Sequence, residues 1–503
     1  MKKIYRTIVL LGMMAIGGTS CSDWLNVSPS DQIKEEFLFE TGNGYRAALN
    51  GIYRKMASFS VYGSNLKWGL IDAWGQVYDI DLAPGSDGGE AMKKIEKLDF
   101  KNHLLTPTTD KMWNDAWNIV ANCNELAQQA EKEENSLFYD GERERKMILG
   151  EAIALRAYIQ FDLLRIYAPS PAMNPGERTF IPYINEYPAY ISNRQTVAYC
   201  LEQIVKDLKM AQDILLTVDN DVNWNNRFLE AANDVKMFLG TRGYRMNYYA
   251  VTAALARVYL YAGKFEEAYA QAKIVIEKGV FEALTGNQAV TTLKKGNIKL
   301  VEDVIFALYS PRDQVDWDRL INHSSDRNEG AEGDERFLGI TKTMAEERYG
   351  DDMDTDWRLG YQMEERTSSA NYRSVKYYQQ PESFSYAIDN NRLVPMIRMS
   401  EVYYIAAEAI YMQKQNGGEG DLKEAVSYLE KVKKGRGITV ELDEMTTTDF
   451  MNVLVNDAQR EFFGEGQTFF MFKRLLKPMK GRVEVAANEK NMVLPLPDTE
   501  NSI

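Results

Sequence analysis

The sequence predicts a mainly α-helical protein, in which a scaffold of tetratricopeptide-like helix pairs carries a large, irregular, loop-rich inserted subdomain. Three observations lead to this fold class. Apolar residues recur every three or four positions over 148–166 and 197–215, the period of a helix with one buried face. The stretch 251–277 has the spacing of small and aromatic residues found in a tetratricopeptide helix pair. Two blocks, 59–109 and 280–394, show few helical stripes and are rich in glycine or aromatic residues, which indicates long loops.

The first twenty residues predict a secretory signal. Basic residues precede an apolar run at 8–16, and the small residues 17–20 lead directly into Cys21. The run is shorter than the roughly 20 residues that a membrane-spanning helix needs. This order resembles a bacterial lipoprotein signal, in which Cys21 would carry the lipid and become the N-terminus. An ordinary cleaved signal is the alternative.

The helix pairs follow from local patterns. Gly263 is expected to open the turn of the central pair, and Phe265 to begin its second helix. A later pair is expected over 398–412 and 422–434, joined by a glycine-rich linker. Such pairs bury their apolar faces only by stacking on one another. Four pairs are expected, at about 111–166, 197–262, 247–279 (overlapping) and 398–464. The predicted segments are 1–20 (signal), 21–110 (N-terminal segment with aromatic loops), 111–279 (helix pairs), 280–394 (insert) and 395–503 (C-terminal helix pair and tail).

The composition of the chain excludes several classes of function. The net charge is −14, and removal of the signal, which holds three basic and no acidic residues, makes it −17. Such a surface repels nucleic acid. The two histidines, His103 and His323, stand far apart outside any metal-spaced motif, so we expect neither a histidine triad nor a zinc site, and no cofactor. Whether Cys123 and Cys200 pair stays open at this point.

One acidic run resembles part of a calcium-binding loop. Asp352, Asp354 and Asp356 alternate as oxygen ligands do, but an EF-hand needs Gly at its sixth position and Glu at its twelfth. Trp357 and Met363 stand there instead. The run is therefore interpreted as a solvated acidic turn, and no metal site is predicted.

Short motifs distributed along the whole chain carry a family resemblance. The matching residues are 21–27, 29–31 and 47–53 near the start, positions within 151–163, then 356–359, Arg398 with 401–403 and 407–409, 460–462, 465–467, 473–474, 490–491 and 494–497. In this order, behind a lipoprotein-type signal, they resemble the SusD/RagB family of outer-membrane nutrient-binding lipoproteins. One departure stands out: the family usually has Arg and Asp where this chain has Thr468 and Met471, so an apolar contact is expected to replace an ion pair.

The resemblance implies a binding role without bond cleavage. Family members lie on the cell surface, anchored to the outer membrane through their lipid, and act as a lid over a SusC-like TonB-dependent transporter. They capture oligosaccharide, or peptide in RagB-like members, for nutrient uptake. Sugar rings stack on aromatic faces, and their hydroxyls bind polar side chains. The candidate ligand-binding residues in the two loop blocks are Trp68, Asp72, Trp74, Tyr78, Asp79, Trp317 and Asn322.

Two further functions compete with this interpretation. A secreted glycosidase needs two carboxylates about 5–10 Å apart. Because the chain has 73 acidic residues, that criterion excludes little, but no acid lies in a recognisable hydrolase motif. A periplasmic tetratricopeptide adaptor would bind protein alone, and the large insert and the surface-type signal argue against it.

Overall fold

The structure is a computed structural model. It describes residues 35–83, 87–190, 192–228, 238–310, 338–366, 369–377, 380–381, 383–439, 442, 447–481 and 484–501. The predicted lipid-attachment residue Cys21 and the candidates Trp317 and Asn322 lie outside these residues.

Helices dominate the described part of the chain, so the predicted mainly helical class is confirmed. In chain order they are α1 (Glu35–Leu38), α2 (Gly42–Met56), α3 (Leu70–Trp74), α4 (Asp87–Glu96), α5 (Thr106–Lys132), α6 (Gly141–Tyr167), α7 (Val197–Val218), α8 (Tyr248–Tyr261), α9 (Phe265–Lys278), α10 (Gly286–Leu293), α11 (Lys342–Tyr349), α12 (Trp357–Gln362), α13 (Ala387–Arg392), α14 (Met399–Gln415), α15 (Leu422–Lys434), α16 (Thr447–Glu461), α17 (Thr468–Leu475) and α18 (Glu489–Met492).

The scaffold is a stack of long helices in which α5, α6, α7, α8, α9, α14 and α15 each pack on the next. The predicted turn is present at Gly263, whose φ of +73° favours glycine, and α9 begins at Phe265 as expected. Helix α6 is buried on nearly all sides from Met147 onwards, because it lies between α5 and α7. At Gly150 a β-carbon would stand 2.9 Å from the Leu215 side chain, so glycine permits the close approach of α6 and α7.

Short antiparallel strands complete the fold. They are β1 (Thr179–Ile181), β2 (Gln195–Thr196), β3 (Val304–Tyr309), β4 (Gly339–Ile340), β5 (Met363–Glu365), β6 (Tyr372–Ser374), β7 (Leu393–Arg398), β8 (Met479–Lys480) and β9 (Glu484–Val485). The pairs are β1–β2, β3–β7 and β8–β9, with a three-stranded sheet in the order β4-β6-β5. In the β3–β7 ladder Tyr309 lies opposite Leu393, so the chain leaves the scaffold and returns to it at the same place.

The first loop block packs directly on the insert. The backbone N–H of Asp79 donates to the carbonyl of Gly339 over 2.9 Å, and Arg348 donates to the carbonyl of Gln76 over 3.1 Å. The first loop block and the insert are therefore joined by hydrogen bonds to backbone carbonyls.

Cys123 and Cys200 are free, buried thiols, so they do not form a disulfide with each other. Burial raises the pKa of each thiol to about 12. Within the described ranges, no helix combines the length and apolar character needed to cross a bilayer.

Candidate functional site

The three aromatic candidates of the first loop block are core residues in this structure. Trp74 is fully buried, stacks on Phe469 with ring centroids 4.0 Å apart, and donates its indole N–H to the carbonyl of Asn491. Trp68 is 1% exposed, and its carbonyl accepts the Tyr78 hydroxyl over 2.8 Å. Trp68, Trp74 and Tyr78 are all buried, so none of the three rings has an exposed face that a ligand could contact.

The two acidic candidates of that block hold the backbone in place. Asp72 accepts the backbone N–H of Gly466 over 3.0 Å, which ties α3 to the segment after α16. Asp79 accepts the N–H of Asp81 and so caps a short 3₁₀ turn. Both are buried. Burial raises the pKa of Asp72 to about 8, because a charged carboxylate loses its hydration there.

Asp72→Asn is expected to change the pH dependence of stability. Folded Asp72 keeps its proton up to about pH 8, whereas the unfolded side chain releases it near pH 4, so between these values rising pH favours unfolding by up to about 1.4 kcal/mol per unit. The asparagine variant cannot ionise. Its free energy of unfolding should therefore rise relative to the wild type as pH increases from about 4 to 8. Urea titrations across that range measure the difference, and parallel pH profiles would contradict the expectation.

Five residues of the motifs that carry the family resemblance meet in a buried ionic cluster: Asp356, Arg358, Arg398, Glu461 and Glu465. Burial alone would raise the pKa of Glu461, but Arg436 and Arg398 outweigh it and hold that pKa well below its ordinary value. Arg358 donates to Asp457 over 2.7 Å and to Glu461 over 3.2 Å. The cluster joins α12, β7 and α16 and consists of Asp303, Asp356, Arg358, Lys376, Arg398, Arg436, Asp457, Glu461 and Glu465. These motif residues thus stabilise the fold.

The interpretation of the acidic run after α11 as a solvated turn holds for Asp354, which is exposed, but is wrong for Asp356. Asp356 is not solvated: its side chain is fully buried, caps α12 and pairs with Arg358 and Arg460. Asp352 also pairs with Arg460, over 2.6 Å. These carboxylates are neutralised by guanidinium groups. Within the part of the chain that the structure describes, no cluster of three or more His, Cys, Asp or Glu side chains is arranged to hold a metal ion.

The positions that depart from the family pattern are both buried in α17. Thr468 and Met471 are 2% and 8% exposed, and the Thr468 hydroxyl has no hydrogen-bond partner among the described residues. The two side chains are therefore enclosed by the core. That an apolar contact between them replaces the charged pair stays a prediction.

An exposed aromatic surface lies at the end of β3. Tyr309 is 42% exposed, whereas the five residues before it in the strand are buried. Its ring meets the Tyr244 ring edge-on at 5.4 Å, and the Arg392 guanidinium lies 5.8 Å from its centroid. The backbone N–H of Ser310 donates to the carbonyl of Arg392 over 2.7 Å, which fixes the two segments together. We call Tyr244, Tyr309 and Arg392 the tyrosine platform.

In the sequence, Tyr309 and Ser310 are followed by segment 311–337, which contains Trp317 and Asn322. In the sequence, Tyr309 is only one of many aromatic residues of the insert. The signal that could have singled it out is its place as the last residue of an otherwise apolar strand. Tyr139 and Tyr190 are more exposed, but single exposed aromatics are common on protein surfaces. At the platform a second, only partly buried tyrosine ring lies beside the guanidinium group. At Tyr139 the guanidinium of Arg46 also lies near the ring, but the second ring beside it, Phe238, is buried.

Comparison with known proteins supplies relatives along most of the chain. Residues 86–233 match a family described as starch-binding and associating with the outer membrane, and residues 320–502 match the SusD family, SusD/RagB. Two SusD-like proteins of Formosa agariphila are each 25% identical to the chain, over 276 and 238 residues. The matched regions span 46% and 42% of those relatives, less than half of their length.

Solved structures show the same fold over nearly the whole chain. A SusD superfamily protein from Bacteroides thetaiotaomicron has a TM-score of 0.68 at 22% identity, covering 92% of this chain and 98% of its own. A SusD-like carbohydrate binding protein from Bacteroides vulgatus has a TM-score of 0.68 at 16% identity, with 92% and 96% covered. At these identities the likeness concerns the fold.

Proposed function

Because this chain belongs to the SusD/RagB family, we propose that it is a lipid-anchored binding protein of the cell surface that captures an oligosaccharide and delivers it to a SusC-like TonB-dependent transporter. In this role Cys21 attaches the chain to the outer membrane, and no bond of the ligand is broken.

The tyrosine platform is the observation that carries the capture role. A pyranose ring presents C–H groups that stack on an exposed aromatic face, and its hydroxyls accept hydrogen bonds from a guanidinium group. Tyr309 offers such a ring, and Arg392 lies beside it. We further propose that Trp317 and Asn322, which follow Tyr309 in the sequence, also contact the ligand. One structure of the same fold, from Bacteroides vulgatus, is a carbohydrate binding protein, which supports this class of ligand.

The scaffold suits the delivery role. The stacked helices from α5 to α15 share one continuous apolar core. A rigid lid can open by rotation about its contact with a partner, with no rearrangement of its own core. We assign the contact with the transporter to the helical side of the molecule, which leaves the loop side with the platform for the ligand.

The test is binding of residues 22–503 to arrays of oligosaccharides and peptides, followed by calorimetry on Tyr309→Ala. The variant should lose about fivefold or more in affinity for the oligosaccharide class that binds, since an aromatic stacking contact contributes about 1 kcal/mol. Tyr190→Ala, at a tyrosine that is 90% exposed, is the matched control and should bind normally.

Two results would redirect the proposal. Binding of peptides alone would move the role to peptide uptake. Equal oligosaccharide affinity of the wild type and Tyr309→Ala would exclude the platform as the site. Co-purification with a TonB-dependent transporter from membranes tests the partner separately.

A further inference from the structure

An open groove lies between the turn that follows α4 and the segment that begins at α18. Its volume is about 660 Å³, and ligand pockets in proteins usually measure about 300–1,000 Å³. Leu98, Phe100 and the segment 493–495 give it an apolar floor. The Phe100 ring is held in place because it packs edge-on against Trp74, with ring centroids 5.4 Å apart. Of these floor residues only Leu494 is buried, so the groove can be reached from solvent.

The backbone at Leu98 is strained, and its side chain lines the groove. Leu98 follows the end of α4 with a φ of +59°, in the left-handed region. Its N–H donates to the carbonyl of Ile95, and the N–H of Asp99 donates to that of Lys94, which is the pattern that ends many helices. Glycine is the usual residue at this position, because a side chain there costs energy. Strained residues cluster at ligand sites, so a leucine kept here is an argument for a ligand contact.

The charged side chains around the groove have a local excess of positive charge, although the whole chain has a net charge of −14. Lys101 and Lys490 line the groove, and neither ammonium group has a hydrogen-bond or ion-pair partner among the described residues. Of the two acidic side chains, Glu489 pairs with Arg178 over 2.8 Å, and Asp99 accepts one side-chain hydrogen bond over 2.7 Å. The two lysines are therefore the charges that a ligand can neutralise.

These side chains select a ligand with three properties. The two free ammonium groups require an anionic group such as a carboxylate. Asp99 and Glu489 accept hydrogen bonds only, so the ligand must also carry donors such as hydroxyl groups, which a fatty acid lacks. The apolar floor requires a face of C–H groups. A uronic acid residue of an oligosaccharide has a carboxylate, hydroxyls and a ring with C–H faces, whereas a neutral sugar lacks the carboxylate.

We propose that the groove binds a uronic acid residue of the captured oligosaccharide, with its carboxylate paired with Lys101 and Lys490 and its ring on the floor formed by Leu98 and Phe100. This inference rests on the oligosaccharide role proposed above and narrows that role to acidic oligosaccharides. None of the groove residues belongs to the tyrosine platform, so the two surfaces can be tested separately.

Replacement of both lysines tests the charge. The probes are trisaccharides of galacturonic, glucuronic and mannuronic acid, each beside its carboxyl-reduced neutral form, titrated by calorimetry into residues 22–503. For the uronate that binds, Lys101→Gln/Lys490→Gln should weaken binding about tenfold at low ionic strength, since each exposed ion pair contributes a factor of up to about five. Binding of the reduced form should not change. Lys206→Gln/Lys423→Gln, at two exposed lysines outside the groove, makes the same change in net charge and should keep wild-type affinity.

Leu98→Gly tests the floor, because its effects on stability and on binding differ. Glycine removes the backbone strain together with some packing, so the midpoint of thermal unfolding should move little. Loss of the apolar contact should weaken binding of the uronate about fivefold. Leu476→Gly is the matched control, because Leu476 also ends a helix, α17, with a φ of +50° and lies outside the groove. This variant should have a similarly small effect on the midpoint and keep wild-type affinity.

The results that would overturn the groove also separate it from the wider function. Equal affinity for a uronate and its reduced form, or equal affinity of the two double-lysine variants, would overturn the uronate site. Uronate binding that is lost in Tyr309→Ala but unchanged in Leu98→Gly would do the same while leaving the oligosaccharide role intact. A blank for every oligosaccharide would overturn that role and the groove with it. An acidic peptide that binds the wild type but not Lys101→Gln/Lys490→Gln would make the groove a peptide site instead.

Discussion

Replacing Glu461 by glutamine is expected to lower the free energy of unfolding by about 3–5 kcal/mol, because the change removes the central negative charge of the buried ionic cluster. Glu461 accepts hydrogen bonds from Arg358, Arg398 and Arg436, and its side chain is 1% exposed. A neutral amide of the same size leaves these guanidinium groups buried with less compensating charge. Equilibrium unfolding in urea measures the loss.

The control for this prediction is an ion pair on the surface. Glu277 pairs with Lys273 over 3.8 Å on α9, and at least half of each side chain is exposed. Glu277→Gln should change stability by less than about 0.5 kcal/mol, since exposed pairs contribute little. Equal small effects of the two substitutions would show that the cluster does not depend on the charge of Glu461.

Gly466→Ala is the second substitution with a large expected effect, about 2–4 kcal/mol of destabilisation. Gly466 has a φ of +71°, which is strained for alanine. A β-carbon there would also stand 2.6 Å from the carbonyl oxygen of Leu66 and 2.8 Å from the Cα of Lys67. Both neighbours are backbone atoms of the first loop block, so the clash can be relieved only by displacing that block.

Gly263→Ala separates the two causes. Gly263 has nearly the same φ, +73°, but no atom lies within 4 Å of its β-carbon position. Alanine there should cost only about 1 kcal/mol, from backbone strain alone. The difference between the two variants, measured by chemical denaturation, gives the cost of the clash. Equal losses of stability in the two variants would mean that the first loop block moves away from the added methyl group of Gly466→Ala at no measurable cost.

The positions of the scaffold helices could be predicted from the sequence because their signals are local. An apolar stripe every three or four residues needs only one helix face to be buried, so α7 lies where the pattern over 197–215 placed it. Gly263 and Phe265 likewise marked the turn and the start of α9. The family resemblance also depended on local motifs, and the charged residues of three of them, around Arg358, Arg398 and Glu461, meet in one buried cluster.

The function of individual aromatic and acidic residues depended on the tertiary structure. Trp74 and Tyr309 both stand in segments that looked like aromatic loops, yet one is stacked against Phe469 in the core and the other is exposed at a strand end. Composition cannot separate them, because a tryptophan or tyrosine is equally suited to a core and to a sugar-binding surface.

The sequence by itself determined the fold class, the helix pairs and the family, since these follow from periodicity and short motifs along the chain. Only the tertiary structure decided which side chains reach solvent. It brought Asp303 together with Arg398 and Arg436, residues far apart in sequence. Burial and partnership depend on contacts between distant segments, and no pattern within one segment specifies them.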